Sequence, residues 1–209
     1  IYSESWNPLA SQSIAAQNED VTSGLVDGPG WTELPYPSPG SRNLLLPSNR
    51  LRLNEVMVRN LSGANTPWAT RDPWVELHNP LAGAVDLSGY SLRSVMAWRP
   101  AVIYPFPPGT VIPAGGYLAL WSGTLGMAFD TLEYDHHGLE LILPDGQISD
   151  RVTWGRQLPD KSIGRLADGT WALLATPTRG TANSAAHPLG PVSSVKINEW
   201  QAETALQFT

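Results

Sequence analysis

The residue types most suited to chemistry are gathered in one short stretch, where Asp130, Glu133 and Asp135 precede His136 and His137. Imidazole and carboxylate together suit zinc or another divalent ion. Adjacent histidines on a strand point to opposite faces, so one ion cannot readily take both, and a polar loop ahead of the strand Gly138–Leu143 explains the composition as well. Asp72, Glu76 and Asp86 carry the oxygen ligands calcium prefers, but no twelve-residue calcium loop contains them, and turn capping and a solvated strand face account for them. Asn54-Glu55 recurs as Asn198-Glu199. A glutamate there could act as a general acid, but glycoside hydrolysis needs a second carboxylate at a defined distance, so the expectation is that Glu55 accepts hydrogen bonds from backbone amides of a neighbouring loop. The chain has no Gly-x-Ser-x-Gly elbow, no glycine-rich phosphate loop and no cysteine, which excludes thiol nucleophiles, thiolate metal sites and disulfides. No catalytic residue, metal or cofactor is expected.

Nine tryptophans offer a different kind of chemistry, because exposed indoles bind sugars and anchor protein interfaces. Trp74, Trp154 and Trp171 fall within patterned strands and are expected in the core. Trp68, Trp98 and Trp121 flank or follow loops, and the segment 95–106 is rich in aromatics and proline. The candidate interaction residues are therefore Trp68, Met96, Trp98, Tyr104, Phe106 and Trp121.

The elements that must hold these residues are short strands. Residues 50–60 and 74–79 alternate apolar and polar with period two, leaving open which face of Trp74–Asn79 meets the core. Further strands are expected within 85–92, at 111–112, 117–121 and 139–143, and at 148–154, each bounded by turn residues. Asp86–Gly89 carries turn chemistry, Pro113–Gly116 a tight turn between strands, and Asp145-Gly146 the signal of a type I′ hairpin. No window of eleven residues sustains a helical period, so the class is all-β.

Composition supports a turn-rich globular chain. Of 209 residues 19 are Gly and 19 are Pro, and only 15% are charged, which favours association over free solution. The net charge of −6, without any basic run, argues against nucleic acid as a partner. No stretch is long and apolar enough to span a membrane, and no leader sequence is evident.

The sequence also repeats. At an offset of 140, Thr22 and Gly24 fall opposite Ser162 and Gly164, and Trp31, Leu34, Pro37, Gly40 and Asn43 fall opposite Trp171, Leu174, Pro177, Gly180 and Asn183. At an offset of 144, the strand at 51–57 is echoed by residues 195–201. The implied organisation is the back of one repeat (1–43), a linker (44–49), one whole repeat (50–184), a second linker (185–194) and the opening of a third (195–209). Apolar strands in half a sandwich need covering, so the two ends imply either a longer tandem chain or strands supplied by a neighbouring copy.

Six segments of the central repeat (53–57, 72–80, 85–94, 106–120, 138–154 and 157–183) together resemble the lamin tail domain in its bacterial secreted form. That resemblance implies an immunoglobulin-like β-sandwich without catalytic activity, used as a module of exported or surface proteins. The function expected is an extracellular or cell-surface structural module, the repeat unit of a bacterial fibre, stalk or adhesin assembled head to tail. Its partners would be neighbouring repeats or further copies of itself. A carbohydrate-binding accessory module of a secreted multidomain hydrolase, recognising a surface glycan, is the other expectation.

Overall fold

The computed structural model describes residues 22–25, 31–34, 50–63, 67, 71–96, 100–129, 137–188 and 190. Its strands are β1 (Thr22–Leu25), β2 (Trp31–Leu34), β3 (Arg52–Met57), β4 (Trp74–His78), β5 (Val85–Asp86), β6 (Ser91–Met96), β7 (Ile103–Pro105), β8 (Val111–Ile112), β9 (Tyr117–Trp121), β10 (His137–Ile142), β11 (Ile148–Trp154), β12 (Ile163–Arg165) and β13 (Trp171–Leu173). One helical turn, α1 (Ser122–Leu125), follows β9 and ends at Gly126.

All strand pairings are antiparallel. A four-stranded sheet in the order β11-β10-β6-β7 faces a five-stranded sheet in the order β13-β12-β3-β4-β9. Leu53, Val56, Val75 and Leu77 from the second sheet pack in one cluster with Leu92, Leu139, Leu141, Val152 and Trp154 from the first. Fully burying side chains of this size contributes about 1.5–3 kcal/mol each, and this shared cluster is what makes two sheets one sandwich. The expected all-β, immunoglobulin-like class is the observed one.

At one open side, an ion pair joins the sheets. Both carboxylate oxygens of Asp150 on β11 accept from Arg165 Nη2 on β12, at 2.7 and 2.8 Å, and Asp150 also accepts the Leu53 amide at 2.8 Å. Arg165 Nε in turn donates to the Leu53 carbonyl. The guanidinium also lies 4.9 Å above the Trp171 ring.

A bulge in β3 decides which residues face outward. Leu53 lies opposite Leu77, but Glu55 rather than Asn54 lies opposite Glu76, so Asn54 is the extra residue. The parity of the strand changes there: Leu51 and Leu53 point into the core before the bulge, and Val56 and Val58 after it. Glu55 and Met57 are thereby turned to the outer face.

Two expected hairpins take a different form. Type I′ needs positive φ at both Asp145 and Gly146, but only Gly146 has it (φ 84°). The Gly146 amide donates to Leu143 and the Leu143 amide to Gln147, giving a three-residue loop in which Pro144 opens an ordinary turn and Gly146 supplies the left-handed bulge. Proline presets the negative φ of that first position, which is why the longer loop wins. The turn at Pro113–Gly116 forms, with the Gly116 amide bonded to Pro113, but β8 pairs with β5 and not with β9. The Asp86–Gly89 turn is as expected, with Asp86 accepting from the Ser88 amide and hydroxyl.

β1 and β2 form a hairpin of their own. Its pairs Ser23↔Glu33, Gly24↔Thr32 and Leu25↔Trp31 stand 140 positions before Ile163↔Leu173, Gly164↔Ala172 and Arg165↔Trp171 of the β12–β13 hairpin. The two hairpins therefore share sequence pattern and strand register alike.

Candidate functional site

The outer face of the five-stranded sheet carries three rows of side chains across β3, β4 and β9. Met57, Trp74 and Trp121 form an apolar row. Glu55, Glu76 and Ala119 form the next, following the register of the strands. Arg52, His78 and Tyr117 form the third, with the His78 and Tyr117 rings stacked at 4.4 Å. An outward face of this kind is normally solvated. Here most of it is buried, and Glu55 and Glu76 are both 0% exposed.

The cover is a strap of the chain after β13, residues 174–183. Leu174 is anchored by its amide to the Ser162 carbonyl and is fully buried. The strap then turns tightly, the Thr181 amide donating to Thr178 at 3.0 Å. At that turn its donors converge on the two carboxylates. Glu55 accepts the Thr178 amide at 3.0 Å, the Thr178 hydroxyl at 2.9 Å and the Ser162 hydroxyl at 2.5 Å. Glu76 accepts the Gly180 amide and, at 2.9 Å, the Asn54 side chain. Asn183 closes the strap by donating to the carbonyls of Asn54 and Arg165, both at 2.9 Å, and by accepting from the Asn54 amide group. The bulged residue is thus the one that ties the strap to the sheet. Arg179 lays its guanidinium 4.7 Å above the Trp121 ring.

Close approach of strap and sheet needs glycine at 164. A Cβ there would stand 2.5 Å from Leu174 Cδ1 and 2.7 Å from Asn183 Nδ2.

Burial works against the charge on these carboxylates. It pushes Glu76 up to about 7, against the opposing pull of the Gly180 amide and Asn54, and with the neighbouring Glu55 adding to the rise. Glu55 is raised by the same burial, which its bonds from Ser162 and Thr178 partly offset. A carboxyl titrating near neutral pH is the chemistry of a general acid. In this case every oxygen of the pair is engaged by the protein's own donors beneath the strap, and the arrangement holds a loop in place. The expected bonding of Glu55 to backbone amides of a neighbouring loop is what the structure displays.

The candidate interaction residues are not brought together. Trp121 is buried at 7% exposure between Trp74, Met57 and Arg179, and Phe106 is buried at 4% in the main core, edge to face with Tyr104 at 5.6 Å. Both are therefore corrected from surface to interior: the strap covers Trp121, and Phe106 is drawn in by the cluster between the sheets. Tyr104 is half-buried against that cluster. Met96 ends β6 opposite His137, while Trp68 and Trp98 lie outside the described residues. Among the described residues of segment 95–106 the large apolar side chains that are exposed are Val102 and Ile103, aliphatics that a search for aromatics passes over. Of the metal-ligand stretch only His137 is described, buried at the start of β10. Among the described residues no three metal-ligating side chains are grouped. Asp72, Glu76 and Asp86 do not converge. Trp74 and Trp154 are in the interior as expected, and Trp171 is half-buried against the core. Among the described residues no helix is long and apolar enough to cross a membrane.

Two face-packed antiparallel sheets, with the strongest polar cluster spent on closing the protein's own surface, define an immunoglobulin-like module whose class works by interaction rather than by catalysis. The family model of the Lamin Tail Domain matches residues 47–156, more than half of the chain, and the chain belongs to that family. No curated protein matches it. The match stops before β12, so the strap donors Ser162, Thr178, Gly180 and Asn183 all lie beyond it.

Proposed function

We propose that this chain is a non-enzymatic extracellular or bacterial cell-surface module that builds a fibre, stalk or adhesin by joining repeats head to tail. The observation that carries this reading is the duplicated hairpin. β1–β2 reproduces β12–β13 in both sequence and register, which supports reading residues 1–43 as the rear of one repeat ahead of a whole one. Joining the rear of one repeat to the front of the next is heterologous, and it extends into a filament where the rotation does not close a ring. A composition with only 15% charged residues suits association. The alternative, a glycan-binding accessory module, draws no support from Trp121, whose ring lies under the strap.

Electron microscopy of the purified protein tests the proposal. Filaments with an axial repeat of about 40–50 Å, one sandwich plus a linker, are expected. Monodisperse particles of a single 22.6 kDa chain at high concentration would refute head-to-tail assembly.

A further inference from the structure

We propose that β9 is the docking edge for a second copy of this chain, the two β9 strands pairing antiparallel about a two-fold axis at Ala119 so that the five-stranded sheets of both copies run on as one. Such a contact is isologous and closes at two copies, so it is distinct from head-to-tail joining and goes beyond it.

β9 ends the five-stranded sheet, with β4 on one side and no strand on the other. Its pairing leaves half of the backbone unused. The Ser122 amide donates to the Pro73 carbonyl and the Asn79 amide to the Gly116 carbonyl, which sets the hydrogen-bonded pairs of this ladder at Val75↔Leu120 and Leu77↔Leu118. The alternate residues Tyr117, Ala119 and Trp121 therefore aim their amides away from β4. Among the described residues no strand pairs with that side.

The other edges of the sandwich are closed or blunted. Along β13, the Leu173 carbonyl accepts the His187 amide at 2.7 Å and Leu174 bridges Ala186. Beside β11, the Asp150–Arg165 pair joins the two sheets. On β7, Pro105 has no amide to offer. β9 carries none of these devices, for Tyr-Leu-Ala-Leu-Trp has no proline, no charge and no bulge in its register. An edge of that kind is a template for a further strand.

The side chains of β9 are complementary to those of β9 itself. The strand reads alike in both directions, as aromatic, Leu, Ala, Leu, aromatic, with its smallest side chain in the middle. Antiparallel pairing about Ala119 sets Tyr117 against Trp121 of the second copy, and Leu118 against Leu120 of the second copy. Ala119 against Ala119 and Tyr117 against Trp121 are then the hydrogen-bonded pairs, which engages the amides that β4 leaves over, while the leucines take the closer positions between them. Each end of the contact gains an aromatic pair on the outer face, and each leucine gains a leucine on the inner one. Leu118 and Leu120 are only partly buried against the core cluster, so their pairing carries the core across the axis. With no charged residue in β9, no like charges meet there.

A contact of one strand per copy lies at the weak end of protein interfaces, so sedimentation equilibrium of the full chain is run up to about 1 mM. A monomer–dimer equilibrium is expected. Ala119→Pro, which removes an amide that β4 does not use, should weaken it at least about tenfold. Because the chain has no cysteine, single introduced thiols report the register. Ala119→Cys brings two thiols together at the axis, and under diamide it should give disulfide-linked dimer at least about tenfold faster than Ala114→Cys, in the exposed turn before β9. Random collision favours the more exposed position 114, so equal or faster linking there would overturn the assignment. A chain that stays monomeric over the whole concentration range would do the same, as would an equilibrium unchanged in an Ala119→Pro variant that keeps the parent's thermal transition. If Ala119→Pro does not fold, the thiol comparison decides alone. Filaments without a link at position 119 would refute this contact and leave head-to-tail joining standing, and dimers without filaments would do the reverse.

Discussion

Glu55 and Glu76 stand directly opposite each other on adjacent antiparallel strands, both fully buried, and are kept together by a loop that reaches them from more than a hundred residues away. Like charges placed so would repel, and two features prevent it. The strap supplies the Thr178 and Gly180 amides, and burial favours a proton on the pair. The same closure that makes this sheet face unavailable to a ligand makes the strap sensitive to charge.

Stability should therefore depend on pH in a defined direction. Glu76 has its carboxyl raised from 4.5 to about 7 in the folded chain, so the unfolded chain loses the proton first as pH rises. The stabilisation is complete below pH 4.5 and is lost as pH climbs through 7. Between pH 5 and pH 8 the melting temperature is expected to fall by several degrees, and Glu76→Gln should flatten that slope. Because His78, lowered by burial and by Arg52, opposes this trend below its ordinary value, the comparison of variant with parent is the informative one. Identical slopes in the two proteins would show that Glu76 is not the titrating group.

Gly164→Ala should loosen the strap. The added methyl collides with Leu174 and Asn183, which is expected to cost about 1–3 kcal/mol. Trypsin cleavage after Arg179 should then accelerate relative to the other basic sites. Peptide mapping over a time course reads this out, and unchanged cleavage order would count against the strap as the yielding element.

Arg165→Met takes from the buried Asp150 carboxylate the guanidinium that bonds both its oxygens. Asp150 is already raised by burial, which Arg165 and the amides of Arg151 and Leu53 oppose. A loss of about 3–5 kcal/mol is expected in urea unfolding. The double change Asp150→Leu with Arg165→Met should recover a substantial part of it, because the uncompensated charge is then removed.

Trp121→Ala tests the interior position of a residue whose type suggests a binding platform. Removing it empties the row of Met57, Trp74 and Trp121 and leaves Arg179 without its ring, at an expected cost of about 3–5 kcal/mol. A ligand-binding defect with an unchanged unfolding midpoint would instead return Trp121 to the surface.

Local pattern in the sequence was enough for much of this. Alternation located most strands of the central sandwich but not β7, β12 or β13, Asp86–Gly89 announced its turn, and the offset of 140 led to two hairpins with one register. Even the bulge left a trace, since the apolar positions shift from 51 and 53 to 56 and 58 around Asn54-Glu55. What tertiary structure decided was the fate of the outward face. Period two reports that a strand has two different faces, but it carries no information about a segment arriving from elsewhere. Trp74–Asn79 left its inward face undetermined because both faces are buried, one by the opposing sheet and the other by residues 174–183. Trp121 and Glu76 looked like surface groups for the same reason. Their burial depends on a contact between strands and a strap that are distant in sequence, and only the closed fold brings those together.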